Sequence, residues 1–205
     1  MRLRLLFFFI IGSLFIIWFV NIDAPQAQDN IEHRSFYMGM SPFPYDLTQS
    51  AQNYTYRQID QHGDMVLHHM DTGIPWQEAL DGSLYHAEVL QNIQQRIENR
   101  RPDQQVYLSI TPNSSERNQL AGYWAENENM PLPSPWQGRT FDHPDVIQAF
   151  LNHARYMIDA FNPDYFAYAI EVTCGYQGNN DNSFQSFRIF CFESCINLFS
   201  KYQET

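Results

Sequence analysis

The stretch Met65–Trp76, MVLHHMDTGIPW, begins as a mostly apolar run and turns polar at Asp71, Thr72 and Gly73. Met65 to Met70 has the length and composition of a β-strand, and DTGIPW reads as the loop that follows it. The same event recurs along the chain. SFYMGM (Ser35 to Met40) is a short strand ended by SPFPYD, QVYLSI (Gln105 to Ile110) is ended by TPNSSER, and DYFAYAIE is ended by VTCGY. Helical spacing fills the intervals. Leu47, Ala51 and Tyr54 mark a first helix stopped by Gly63, while Leu90, Ile93 and Ile97 mark a second that ends in basic RIENRR. Ile147, Phe150, Leu151, Ala154, Met157, Ile158 and Phe161 share one face of a third helix, with Pro144 in its first turn. Phe184, Phe187, Cys191, Ser194, Cys195 and Leu198 mark a last one. SERNQLAGYWAENE is expected to be a short helix and MPLPSPWQGRTFD a Pro-rich loop.

Strands alternating with helices imply a parallel sheet, because a parallel return needs a helix-length crossover. The two main solutions are a doubly wound sheet and a (β/α)8 barrel. No Gly-rich phosphate loop follows the first strand, as a nucleotide-binding doubly wound fold would want. Polar residues collected where strands end are what a barrel mouth requires. The fold class expected is therefore α/β, parallel and of TIM-barrel type, with about four βα units and an apolar helix ahead of them.

That apolar segment is the leader. MRLR is followed by sixteen nearly unbroken apolar residues, Leu5 to Val20, and then by NIDAPQAQDN. This is near the upper limit of a signal-peptide core and short of the ~20 residues of a comfortable membrane span. Residues 1–27 are read as a secretory signal cleaved near Ala27, or as an uncleaved anchor using residues 1–20, and residues 28–205 as the barrel part. Either reading takes the rest of the chain out of the cytoplasm, to a secreted or periplasmic location. The formal charge of −11, with no Lys/Arg run, argues against a nucleic-acid partner, which needs cations to displace counterions. Membrane contact is expected only through the leader.

Cys174, Cys191 and Cys195 have no metal-ligand spacing, and a Cys191–Cys195 disulfide on one helix would be strained, so they read as apolar thiols. Asn53 in NYT and Asn113 in NSS match the glycosylation acceptor pattern, which matters only in a eukaryotic host. No cofactor and no metal are expected.

Taken together, FYMGMSPFPYD, GDMVLHHMDTGIPWQEAL, VYLSITP and PDVIQAFLNHARYMIDAFNPDYFAYAIEV resemble the extracellular (β/α)8 glycoside hydrolases of clan A, nearest to proteins similar to the endo-β-1,4-galactanase family 53. The likeness runs from about Phe36 to Glu171. It implies that Glu171, at the end of the fourth strand, is the general acid/base of a retaining hydrolase acting on O-glycosidic bonds. On a strand, Tyr165, Ala167, Ala169 and Glu171 share one face. An apolar surround would raise the pKa of such an acid, as proton donation near neutral pH needs. One departure stands out: the clan usually has Asn before this Glu, and here Ile170 does.

Retaining hydrolysis also needs a second carboxylate about 5–5.5 Å from the first, which the clan supplies from its seventh strand. A full barrel takes roughly 250 residues. About 178 follow residue 27 here, so the chain reads as the N-terminal half of a barrel. It is expected to be inactive alone, with a second chain as a possible partner completing it.

Carbohydrate is the expected ligand, and several residues are candidates for holding it. His68, His69 and Asp71 lie at the end of the second strand, where they would bond sugar hydroxyls or serve structural hydrogen bonds. Metal binding is a third reading, weakened because adjacent side chains on a strand point to opposite faces. Asp46 could bind a hydroxyl or cap the first helix, and Asp71 could shape the DTG turn. Trp76, Trp124 and Trp136 could stack on pyranose rings or fill the loop packing. Arg117 could pair with Glu171 or another acid across the mouth, or sit on its helix. Three functions compete: a hydrolase, a carbohydrate-binding barrel relative that has lost catalysis, and a membrane-retained half that assembles with another chain.

Overall fold

The computed structural model describes residues 35–170 and 182–199. All of these but Ser35 belong to one compact unit, Phe36–Thr205. The leader, Glu171 and Cys174 lie outside the described residues. The elements run β1 (Gly39–Met40), α1 (Gln49–His62), β2 (Met65–Met70), α2 (Trp76–Asp81), α3 (Ala87–Glu98), β3 (Gln105–Ile110), a 3-10 turn at Ser134–Trp136, α4 (Pro144–Phe161), β4 (Tyr165–Ala167) and α5 (Asn182–Phe199).

The four strands form one sheet in chain order, β1-β2-β3-β4, and every neighbouring pair is parallel. β2 and β3 pair along their full length, Met65 with Gln105 through Met70 with Ile110. The pleat sorts their side chains. Val66, His68 and Met70 of β2 and Val106, Leu108 and Ile110 of β3 are buried, while Met65, Leu67, His69, Gln105 and Tyr107 are half-buried. One face of these two strands is thus fully buried, and the other is half-buried apart from Ser109, which is buried.

α4 anchors the covering layer. Pro144 needs no amide hydrogen at the first helical position, and His143 accepts from the Asp145 amide as the cap. Val146, Ala149, Phe150, Ala154, Met157 and Phe161 are buried along its inner face. Phe150 meets Phe190 of α5 at a ring-centroid distance of 5.0 Å, and Phe141 meets Phe187 at 4.9 Å. The α1 cap is Thr48, whose hydroxyl accepts from the Ala51 amide, and not Asp46, which lies two residues too early. Gly63 ends α1 in extended backbone, with its amide on Ile59 O.

The expected helix over residues 115–128 is absent. That segment folds back in turns, with single bridges joining Asn113 to Leu120, Tyr123 to Met130, and Ile74 to Tyr123. Arg117 and Asn129 take positive φ, at 58° and 51°, which a helix cannot contain. Gly122 lies so close to Asn129 that a Cβ there would fall 2.7 Å from Asn129 Cα. A short helix, α2, instead forms in the loop after β2. Asn113 is fully buried, so a glycan on it is incompatible with this fold, whereas Asn53 is exposed on α1. Among the described residues, no helix is long and apolar enough to cross a membrane.

Candidate functional site

The C-terminal ends of β2 and β3 carry a connected polar surface. Asp71 follows β2 directly, and its carboxylate takes two bonds from Arg117: Nη1 to Oδ1 at 3.1 Å and Nη2 to Oδ2 at 2.9 Å. Nη1 also donates to Ser114 O at 2.9 Å, and Asn129 Nδ2 donates to Asp71 O at 2.8 Å. Arg117 thus pairs with an acid across the loops, from a turn and not from a helix. Two residues before Asp71, His69 Nδ1 lies 2.8 Å from Ser109 Oγ on β3.

His69 also lines an open pocket of about 130 Å3. The loop after β1 supplies Ser41, Pro42, Phe43 and Pro44; α1 supplies Gln52 and Tyr56; α3 supplies Asn92, Gln95 and Arg96. The pairs Gln52/Tyr56 and Asn92/Arg96 are each four apart, so each helix turns two side chains to one spot. Arg96 Nε donates to Asn92 Oδ1 at 2.8 Å, which holds the guanidinium in place. Burial raises the Tyr56 phenol, and Arg96 partly offsets this by favouring the phenolate. Ser41 Oγ is buried with no hydrogen-bond partner. Hydroxyl, amide, imidazole and guanidinium groups beside two aromatic rings suit a small, polar, ring-shaped ligand.

The other candidate residues fall elsewhere. His68 projects to the covered face of the sheet, not to the mouth. It is fully buried, its ring centroid is 5.1 Å from that of Phe161, and neither ring nitrogen has a partner. Burial, with Arg96 and Arg100 adding repulsion, pushes its pKa down to about 3. Trp76 and Trp124 are buried too, and present no indole face to a saccharide. Trp76 donates from Nε1 to Ala121 O at 2.9 Å and stacks on Trp136 at 5.4 Å, while Trp136 Nε1 donates to Gln77 Oε1 at 3.0 Å. These rings bind the loops after β2 and β3 together, because indole offers both a large apolar area and a donor that finds a partner when buried.

Arg96 and its neighbours were not singled out by sequence. RIENRR was read only as charge at a helix end, and the available signal was the four-residue spacing of Asn92 and Arg96. A second missed cluster links α2, α3 and the β3–α4 connection: Tyr123 OH donates to Glu78, and His86 lies 3.6 Å from Glu78 and 3.5 Å from Glu126. Among the described residues, no group of three or more His, Cys, Asp or Glu is placed to hold a metal ion. Cys191 and Cys195 are free thiols, half-buried, and burial lifts the Cys191 pKa to about 11.

Comparison with protein-family models, with curated proteins and with solved structures finds no match for this chain.

Proposed function

We propose that this chain is an extracytoplasmic, carbohydrate-active protein of (β/α)8 type, in which the C-terminal ends of the strands form the saccharide-binding mouth and Glu171 is the general acid/base of O-glycoside hydrolysis. The observation that carries the reading is the sheet itself: parallel strands in chain order, with His69, Asp71 and Arg117 gathered at their C-terminal ends. Active sites of parallel barrels collect there. On this reading residues 1–27 are the export leader or anchor, and saccharide is the partner. The nucleophile of such a barrel would come from its other half.

One observation favours a binding role without catalysis. The Asp71 carboxylate has both oxygens engaged by Arg117, so it holds the strand-end loops in place and is not free to act on a glycosidic bond.

Both readings are tested by incubating the chain, joined with the nucleophile-bearing other half of the barrel, with β-linked oligosaccharides, measuring reducing-end release and binding together. Hydrolysis that falls by about 10²–10⁴-fold in Glu171→Gln, with binding retained, is the expected result for the enzyme. Binding without hydrolysis, unchanged in Glu171→Gln, establishes the binding module. Neither binding nor hydrolysis sinks both.

A further inference from the structure

The guanidinium of Arg96 is half-buried in the wall of the pocket beside His69. Among the described residues its hydrogen bond is Nε to the neutral amide of Asn92, and no carboxylate pairs with it. Its Nη1 and Nη2 edge, the fork that matches a carboxylate, makes no bond to any described residue. The charge acts on its surroundings: Arg96 opposes protonation of His68 and favours ionisation of Tyr56. A cation held rigid, partly dehydrated and without a counter-charge is the group that gains most from an incoming oxyanion.

The volume and the remaining walls narrow the ligand. An apolar cavity of about 150 Å3 accepts one benzene ring, and this pocket is about 130 Å3. Being smaller and open, it takes a carboxylate and one edge of a sugar ring, and the rest of the ring would lie outside it. The walls are not apolar enough for benzene itself: Asn92, Gln52 and His69 offer donors and acceptors around the rim, with the Phe43 and Tyr56 rings alongside. Hydroxyl groups on the ring would satisfy those amides.

We infer that the pocket binds a uronic acid unit, its carboxylate paired with Arg96 and its ring hydroxyls bonded by the surrounding amides. This rests on the carbohydrate reading above and adds to it the class of sugar. The chain's overall charge of −11 opposes an anion at long range. At physiological ionic strength that field is screened beyond about 8 Å, so the guanidinium in contact decides.

The test is calorimetric titration of the full chain with D-galacturonate and D-glucuronate, and in parallel with D-galactose and D-glucose, which carry CH2OH where the acids carry the carboxylate. Acetate and inorganic phosphate serve as ring-free anions. Uronates are expected to bind at least tenfold more tightly than the neutral hexoses and than acetate or phosphate. Arg96→Gln should remove that preference. So should Asn92→Asp, which supplies an internal carboxylate to Arg96 and leaves the helix intact, while Arg57→Gln on exposed α1 surface should not. Acetate or phosphate binding as tightly as uronates would overturn the inference in favour of a general anion site. Equal binding of uronates and neutral hexoses, insensitive to Arg96→Gln, would overturn it while leaving the carbohydrate reading intact. No binding of any saccharide removes both.

Discussion

Arg117 takes a left-handed backbone conformation, φ 58°, which costs a non-glycine residue about 1–2 kcal/mol. Its side chain offsets that cost by gripping Asp71 with two bonds and Ser114 O with a third. The two contributions separate by substitution. Arg117→Ala loses the ion pair and keeps the strain, whereas Arg117→Gly loses the pair and relieves the strain. In urea denaturation Arg117→Gly is therefore expected to be more stable than Arg117→Ala by about 1 kcal/mol, although both fall below the natural chain. Asp71 is about one-third exposed at the side chain, at 31%, so the pair's own contribution is moderated by solvent. A result with Ala above Gly would remove the claim that the backbone here is strained. The sequence left Arg117 open between an acid across the loops and a place on its own helix; the helix is absent and the acid is Asp71. That Trp76 and Trp124 would be buried was not legible: indole packs equally well in a core or on a sugar, and loop positions have no period from which to read a face.

Among the elements, the strands were the most legible. β2 and β3 begin and end where the length and composition of their apolar runs placed them, whereas β1 and β4 are only Gly39–Met40 and Tyr165–Ala167, shorter than the expected SFYMGM and DYFAYAIE. The segment 111–130 was not legible. Leu120 and Trp124 lie four apart and both are buried, a spacing that imitates a helix face, yet the chain there is a folded-back loop. Gly122 decides it, because its backbone packs directly on Asn129 and Met130. A Cβ at Gly122 would lie 2.7 and 2.8 Å from Asn129 Cα and C and 3.0 Å from Met130 O, all backbone atoms that cannot rotate aside. Gly122→Ala is expected to cost about 1–3 kcal/mol, as overpacking does, and to loosen the Ile74–Tyr123 bridge, read as faster amide exchange at Trp124, whose amide donates to Ile74 O. Gly82, which ends α2 at φ 67° with nothing within 4 Å of its would-be Cβ, is the contrast. Gly82→Ala meets only the backbone penalty, about 1 kcal/mol, and leaves that exchange unchanged. The pocket was illegible for a related reason: it is built where α1, α3 and the loop after β1 converge, three segments far apart in the chain.

At the scale of the whole molecule, the interior carries two neutral histidines that link folding to pH. His68 lies between the sheet and α4, near Arg96 and Arg100. His153 is buried on α4 with Nδ1 3.2 Å from Tyr85 OH. Both have pKa values pushed down to about 3, His68 by burial and the two arginines and His153 by burial alone. A histidine whose folded pKa lies below its unfolded value of about 6.5 binds its proton more readily in the unfolded chain. Its neutral, buried form therefore contributes fully above about pH 6.5, and that contribution is lost progressively as pH falls toward 3. The slope is at most about 1.4 kcal/mol per pH unit for each histidine, so by pH 5 each costs the fold up to about 2 kcal/mol relative to neutral pH. His68→Leu keeps an apolar group in that space and removes two unpartnered ring nitrogens, so it is expected to unfold at higher urea than the natural chain at pH 5, by about 2 kcal/mol, with a smaller gain at pH 7. His153→Phe should flatten the acid limb similarly but lose stability at neutral pH, where it strands the Tyr85 hydroxyl. An imidazole resonance of His68 that titrates near pH 6.5 in the folded protein would show that water reaches the ring, and the acid sensitivity would then have to come from the carboxylates instead.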